Sequence, residues 1–82
     1  MQSKIRRFLL HRKKDISGIS GTGIIAEGVQ LTSGHVVLNW LTSWPDGNFS
    51  SVTLYPHMQR IEEVHGHSGN TEILWLDPEL SA

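Results

Sequence analysis

The sequence predicts a mainly β protein whose elements follow in the order β-β-β-β-α-β. Two apolar runs flank a tight turn at residues 32–34, and further short apolar segments alternate with clusters of turn-forming residues. Only one segment shows helical spacing. Five short strands bury their apolar face best by curling, so we expect a small SH3-like, partly open barrel with one short helix, or alternatively an OB-like barrel.

Length and composition predict a single small domain over residues 1–82, with a thin core and a frayed tail from about residue 77. Apolar residues make up 38% of the chain and charged residues 18%, which are values of a globular protein. The sequence contains no cysteine, which excludes disulfides and thiolate metal sites. No apolar run approaches the ~20 residues that span a bilayer, so we expect a cytoplasmic protein without membrane association.

Strands are expected at five segments, residues 4–13, 23–31, 35–41, 51–55 and 71–76, and a helix over residues 56–64. In the first strand Phe8 and Leu10 share one face, and in the fourth Val52 and Leu54 are expected to face the core. The apolar residues of the second strand change phase near Gly28, which predicts a β-bulge at Glu27 and Gly28.

The predicted helix combines a favourable first residue with an apolar stripe. Pro56 fits the first helical position, because its missing N–H and fixed φ cost nothing there. Met58, Ile61 and Val64 recur at three-residue spacing, which indicates a short amphipathic helix with one face on the core.

Charge is distributed unevenly along the chain. Six of the seven basic residues lie within the first fourteen positions, and all eight acidic residues follow them. The simplest interpretation is that the basic first strand pairs with the acidic body. The alternative is a protein or nucleic-acid surface made of Arg7, Arg12 and Lys13 together with the loop residue Trp44. Nucleic acid is not favoured, because the acidic body repels a phosphate backbone.

Two segments rich in glycine and hydroxyl groups, residues 15–23 and 65–71, read DISGISGTG and HGHSGNT. Together with HVVLNWL and SVTLY between them, they resemble a family of small proteins from phage genomes and prokaryotic chromosomes, to which no activity is assigned. The resemblance covers about residues 8–75. It implies a cytoplasmic accessory protein and supplies no functional residues. Residues 46–49 form an insertion relative to the family pattern.

The first glycine-rich segment is no known phosphate-binding motif, since its spacing is GxxGxG and no Lys-Ser/Thr pair enters a helix. In an SH3-like barrel strand five pairs with strand one, so both segments reach the same rim. They either lock that end of the barrel by mutual hydrogen bonds or hold a small polar, nucleotide-like ligand. The residues that either role would use are Asp15, Ser17, Ser20, Thr22, His65 and His67.

No acid–base pair, nucleophile or cofactor motif is legible in the sequence. We therefore expect a non-enzymatic binding module, without cofactor or metal, that acts on a host protein or a small polar ligand. The competing enzyme hypothesis is a metal-assisted hydrolase that uses His57, His65 and His67. An unpaired edge of the sheet favours a homodimer over a monomer.

Overall fold

The computed structural model of the chain describes residues 3–13, 23–41, 51–65 and 70–79. They form β1 (Arg6–Arg12), β2 (Gly23–Gln30), β3 (Val36–Trp40), β4 (Ser51–Tyr55), α1 (Met58–His65) and β5 (Thr71–Trp75). The predicted mainly β class and element order are confirmed, and each element begins and ends within two residues of its predicted bounds. The described part of the chain contains no helix long and apolar enough to cross a bilayer.

The strands form one sheet in the order β4-β3-β2-β1-β5, and all neighbouring strands run antiparallel. The chain passes through β1 to β4 as consecutive neighbours, and β5 then returns to the free side of β1. Among the described residues the sheet is not closed, since β4 and β5 form its edges. This architecture agrees with a small, partly open barrel. The choice between the SH3-like and OB-like classes stays a prediction.

The turn between β2 and β3 forms as its sequence predicts. Gly34 has a φ of 97°, a value that side-chain-bearing residues rarely adopt. Its N–H donates to the carbonyl of Leu31 at 2.9 Å, and the N–H of Leu31 donates to the carbonyl of His35 at 2.8 Å. Because residues with a side chain rarely adopt such a φ, this turn requires glycine at position 34.

One face of the sheet, called the inner face below, carries the core. Its buried apolar residues, with one from the helix, are Phe8, Leu10, Ile25, Ala26, Val36, Leu38 and Ile61. The ring of Trp75 packs edge-on against Phe8 with centroids 5.5 Å apart, and the guanidinium of Arg6 lies 3.7 Å from the centroid of Trp75. The predicted helical stripe is only partly buried, because Val64 is 48% exposed.

The β-bulge lies at Ile25 and not at the predicted Glu27 and Gly28. The pairing of β1 with β2 skips Ile25, so the consecutive residues Ile25 and Ala26 are both buried. The prediction was wrong because Gly28 has another role. It stays in regular register and leaves room for the ring of Phe8 above it.

The expectation that Val52 and Leu54 face the core was also wrong. Their exposed fractions are 64% and 65%, the highest among the large hydrophobic residues described. The register with β3 turns Ser51, Thr53 and Tyr55 toward the inner face and leaves the apolar pair on the other side. β4 therefore has its hydroxyl groups on the inner face of the sheet and its apolar side chains on the opposite, exposed face.

The helix begins at Met58, two residues after the predicted Pro56. His57 occupies the N-cap position, where its Nδ1 and its carbonyl oxygen each lie 3.2 Å from the backbone nitrogen of Arg60. A cap of this kind accepts one of the N–H groups that a helix leaves without an internal partner.

Candidate functional site

The end of β1 joins both glycine-rich segments. Arg12, the last residue of β1, pairs with Gly23 on one side and with Thr71 on the other. The N–H of Lys13 donates to the carbonyl of Asn70 at 2.7 Å, which extends the pairing toward segment 66–69. Segment 14–22 leaves β1 and enters β2 at this point, and segment 66–69 leads into β5 beside it. The described ends of the two segments thus meet at one end of the sheet.

Arg12 is the buried charged residue at this junction, with only 5% of its surface exposed. Its Nε donates to Oγ1 of Thr71 at 3.3 Å. The ion pairs of the described residues join Arg7 to Asp77, His11 and Lys13 to Glu72, and Arg60 to Glu63, so none involves Arg12. Burial of a guanidinium costs several kcal/mol unless hydrogen bonds and an opposite charge compensate it.

Burial of Arg12 follows from its position in β1, because it has the same phase as Phe8 and Leu10. Charge alone groups Arg12 with Arg7 and Lys13. Alternation along the strand, when it is applied to basic as well as apolar residues, places Arg12 on the opposite side from Arg7 and Lys13.

Arg7 of β1 and Lys13 just beyond it form ion pairs with Asp77 and Glu72 in the C-terminal part of the chain. Arg7 donates to Asp77 from its backbone N–H, its Nε and its Nη2, at 2.8, 2.9 and 2.8 Å. These bonds lower the pKa of Asp77 to about 2 and raise the pKa of Arg7. Asp77, the first residue of the tail predicted to fray, is thereby held against β1.

Glu72 of β5 accepts from two neighbours in β1 and just beyond it. Its Oε2 lies 3.3 Å from Nζ of Lys13, and its Oε1 lies 3.0 Å from Nδ1 of His11. The hydrogen bond from Lys13, more than that from His11, lowers the pKa of Glu72. The contacts agree with the interpretation that the basic first strand pairs with the acidic body.

The other predicted site residues lie outside the described part of the chain, with one exception. Asp15, Ser17, Ser20, Thr22, Trp44 and His67 are in the segments that the structure does not describe. His65 is the last residue of α1. In the described ranges, no three His, Cys, Asp or Glu side chains are grouped as metal ligands would be.

A second candidate surface, not predicted from the sequence, lies opposite the core and is called the outer face below. Its apolar side chains include Leu9, Val29, Val37, Val52, Leu54, Leu74 and Leu76. A groove of about 370 Å³ runs across it, with Arg7, Glu27 and Asn39 among its lining residues. Contiguous exposed apolar surface marks interaction sites in soluble proteins. The sequence does carry a signal for this surface, because most strands have apolar residues at both odd and even positions and therefore on both faces of the sheet.

Comparison with protein families finds a match for most of the chain. The family model described as Acb5 phage protein matches residues 5–77, which include every strand and the helix. Comparisons with curated proteins and with solved structures find no match.

Proposed function

The chain belongs to the Acb5 phage protein family, and we propose that it is a non-enzymatic accessory protein that binds a small polar, anionic ligand of nucleotide-like chemistry. The site centres on Arg12, at the end of the sheet where the two glycine-rich segments join. The observation that carries the proposal is the burial of Arg12 beside a hydroxyl group, without a carboxylate partner among the described residues.

The chemistry of this pair of residues suits an anion. A guanidinium presents five N–H donors in a planar fork that matches the oxygens of phosphate or carboxylate. The hydroxyl of Thr71 accepts from Nε of Arg12 and keeps its own proton to donate to a ligand. An anion at this position would supply the opposite charge that a buried guanidinium needs.

In this proposal the glycine-rich segments complete the site. Segment 15–23 carries the hydroxyl groups of Ser17, Ser20 and Thr22, and His67 belongs to the second segment. Glycines let backbone N–H groups approach an anion closely, and hydroxyl and imidazole groups add donors. The competing role is mutual locking, in which Asp15 supplies the negative charge instead of a ligand.

Isothermal titration calorimetry with inorganic phosphate, adenosine 5′-monophosphate and adenosine separates the two roles. We expect both anions to bind and adenosine alone to bind more weakly. Arg12→Met should weaken anion binding by about tenfold or more, the loss expected for a buried charge-assisted contact. Arg12→Lys should retain part of the affinity, because it keeps the charge without the planar fork.

Arg60→Met is the matched control, because it removes the same group from an exposed position on α1. Anion binding should be unchanged in this variant, and phosphate should raise the melting temperature of both Arg60→Met and the unmodified protein. Absence of binding at millimolar concentrations of both anions, together with a lower melting temperature for Arg12→Met, would assign Arg12 to the locking role.

A further inference from the structure

We infer that the outer face is the interface of a homodimer, in which a second copy of this chain stacks on it sheet against sheet. The clearest indication is β4, whose apolar side chains lie outside. Val52 and Leu54 are 64% and 65% exposed, whereas Thr53 between them faces the core. An edge strand exposed to water normally shows the reverse pattern.

The size of the outer face suits a small dimer interface. Five strands at ~4.8 Å spacing, each about 17 Å long, give roughly 400 Å² in projection. Side chains roughen such a surface, so two stacked faces bury on the order of 1,200 Å² in total, where specific interfaces begin. Stacking would enclose a second apolar layer about 10 Å thick, as in a β-sandwich. The inner face alone provides only a thin core for a chain of this length.

The arrangement of side chains on the outer face is self-complementary. Antiparallel pairing sets Leu54, Val37, Val29 and Arg7 in one row across the sheet, and the next row holds Val52, Asn39, Glu27 and Leu9. A two-fold axis that lies in the interface and runs across the strands places the first row of one copy over the second row of the other. Apolar residues of β4 then meet apolar residues of β4.

The charges on the outer face are complementary under the same axis. Arg7 lies in β1 of the first row, and Glu27 lies in β2 of the second row, beside the cross-strand partner Leu9. Stacking therefore brings each Arg7, whose guanidinium also donates to Asp77 of its own chain, next to Glu27 of the second copy, twice per dimer. Among the described residues Glu27 has no ion-pair partner within its own chain and accepts only a long bond, 3.4 Å, from Nδ2 of Asn39. Opposite charges in register favour a second copy of this chain over an unrelated partner.

Sedimentation equilibrium of the full chain, over about 1 to 500 μM, tests the inference. We expect twice the chain mass, with a Kd that the Val52→Ser, Leu54→Ser double variant raises by about tenfold or more. Glu27→Arg should also raise the Kd, because it faces Arg7 of the second copy. Circular dichroism should show that both variants keep the fold, since none of the three residues belongs to the core.

Two control variants remove comparable groups from elsewhere on the surface. Val64→Ser removes an exposed apolar residue of α1, and Glu62→Arg reverses an exposed charge there. Neither should change the Kd. A single chain mass at all concentrations would overturn the inference and leave the outer face to a different protein. A dimer that tolerates the outer-face variants would also overturn it, because the association would then run through a strand edge.

Discussion

Gly28 of β2 lies against the aromatic ring of Phe8 in β1, at a distance that leaves no space for a side chain. A Cβ atom at Gly28 would lie 2.5 Å from Cζ of Phe8 and 2.7 Å from the carbonyl oxygen of Val37. Phe8 is fully buried and is the cross-strand partner of Gly28. The close packing of the largest core side chain thus depends on the smallest residue beside it.

Gly28→Ala is therefore expected to lower the free energy of unfolding by about 1–3 kcal/mol, the usual cost of overpacking a core. Denaturant titration of the single variant measures this loss. The double variant with Phe8→Leu provides the control, since a smaller side chain relieves the clash with the ring and leaves the one with the carbonyl oxygen of Val37. Its loss should be less than the sum of the two single losses by about 0.5 kcal/mol or more. Additive losses would contradict the packing explanation.

The sequence predicts some core residues and misses others, because alternation is a property of one strand whereas close packing involves two. Alternation along β1 correctly placed Phe8 and Leu10 on one face of the strand, and both side chains are buried in the core. Close approach at Gly28 is a property of two strands in register. A single segment of sequence carries no information about such an approach, and its phase change at Gly28 therefore predicts a bulge instead.

The error at Val52 and Leu54 has a different cause. Alternation identifies two faces of a strand but does not say which one meets the core, and the choice followed the rule that apolar residues face inward. The register of β4 on β3 decides otherwise. For the candidate site, the uneven charge distribution predicts that Arg7 and Lys13 pair with acidic residues. The burial of Arg12 can be predicted only from its position in the alternation of β1.

The ion pair between Arg7 and Asp77 predicts a specific pH dependence. The pKa of Asp77 is lowered from 3.8 to about 2 in the folded protein, mainly by hydrogen bonds from Arg7. Stabilisation by this carboxylate is therefore complete above its unfolded pKa and is lost as the pH falls toward its folded pKa. Melting temperatures of the protein and of Asp77→Asn should differ at pH 6 and converge near pH 2.

Glu79→Gln serves as the control for the pH experiment, because it removes a nearby exposed carboxylate that forms no ion pair among the described residues. Its melting temperature should follow that of the unmodified protein at every pH. A constant difference between Asp77→Asn and the unmodified protein from pH 6 to pH 2 would show that the carboxylate charge contributes nothing.

The N-terminus of α1 offers a stabilising substitution. The first turn of the helix contains no acidic residue, and the imidazole of His57 provides the side-chain cap. Aspartate is a better N-cap and adds a negative charge at the positive end of the helix dipole. We expect His57→Asp to raise the free energy of unfolding by about 0.5–1 kcal/mol. Thermal denaturation at pH 7 checks it, and a lower melting temperature would mean that His57 makes a contact beyond the cap.

Nucleic-acid binding is expected to be absent. The cations of Arg7 and Lys13 contact Asp77 and Glu72, and Arg12 is buried. Electrophoretic mobility shift at low salt should show no retention of single- or double-stranded probes. The Glu72→Gln, Asp77→Asn double variant releases both cations and should gain weak binding that decreases steeply with salt. Retention by the unmodified protein with a similar salt dependence would refute this view of the basic strand.

Binding of an anion by Arg12 can be observed by NMR of the arginine side chains during titration with adenosine 5′-monophosphate. We expect the Nε–H signal of Arg12 to shift saturably as the ligand accepts from the guanidinium, while the signal of exposed Arg60 stays in place. Assignment follows from the disappearance of one signal in Arg12→Lys. An Arg12 signal that does not respond at millimolar ligand, with backbone signals equally unchanged, would contradict the claim.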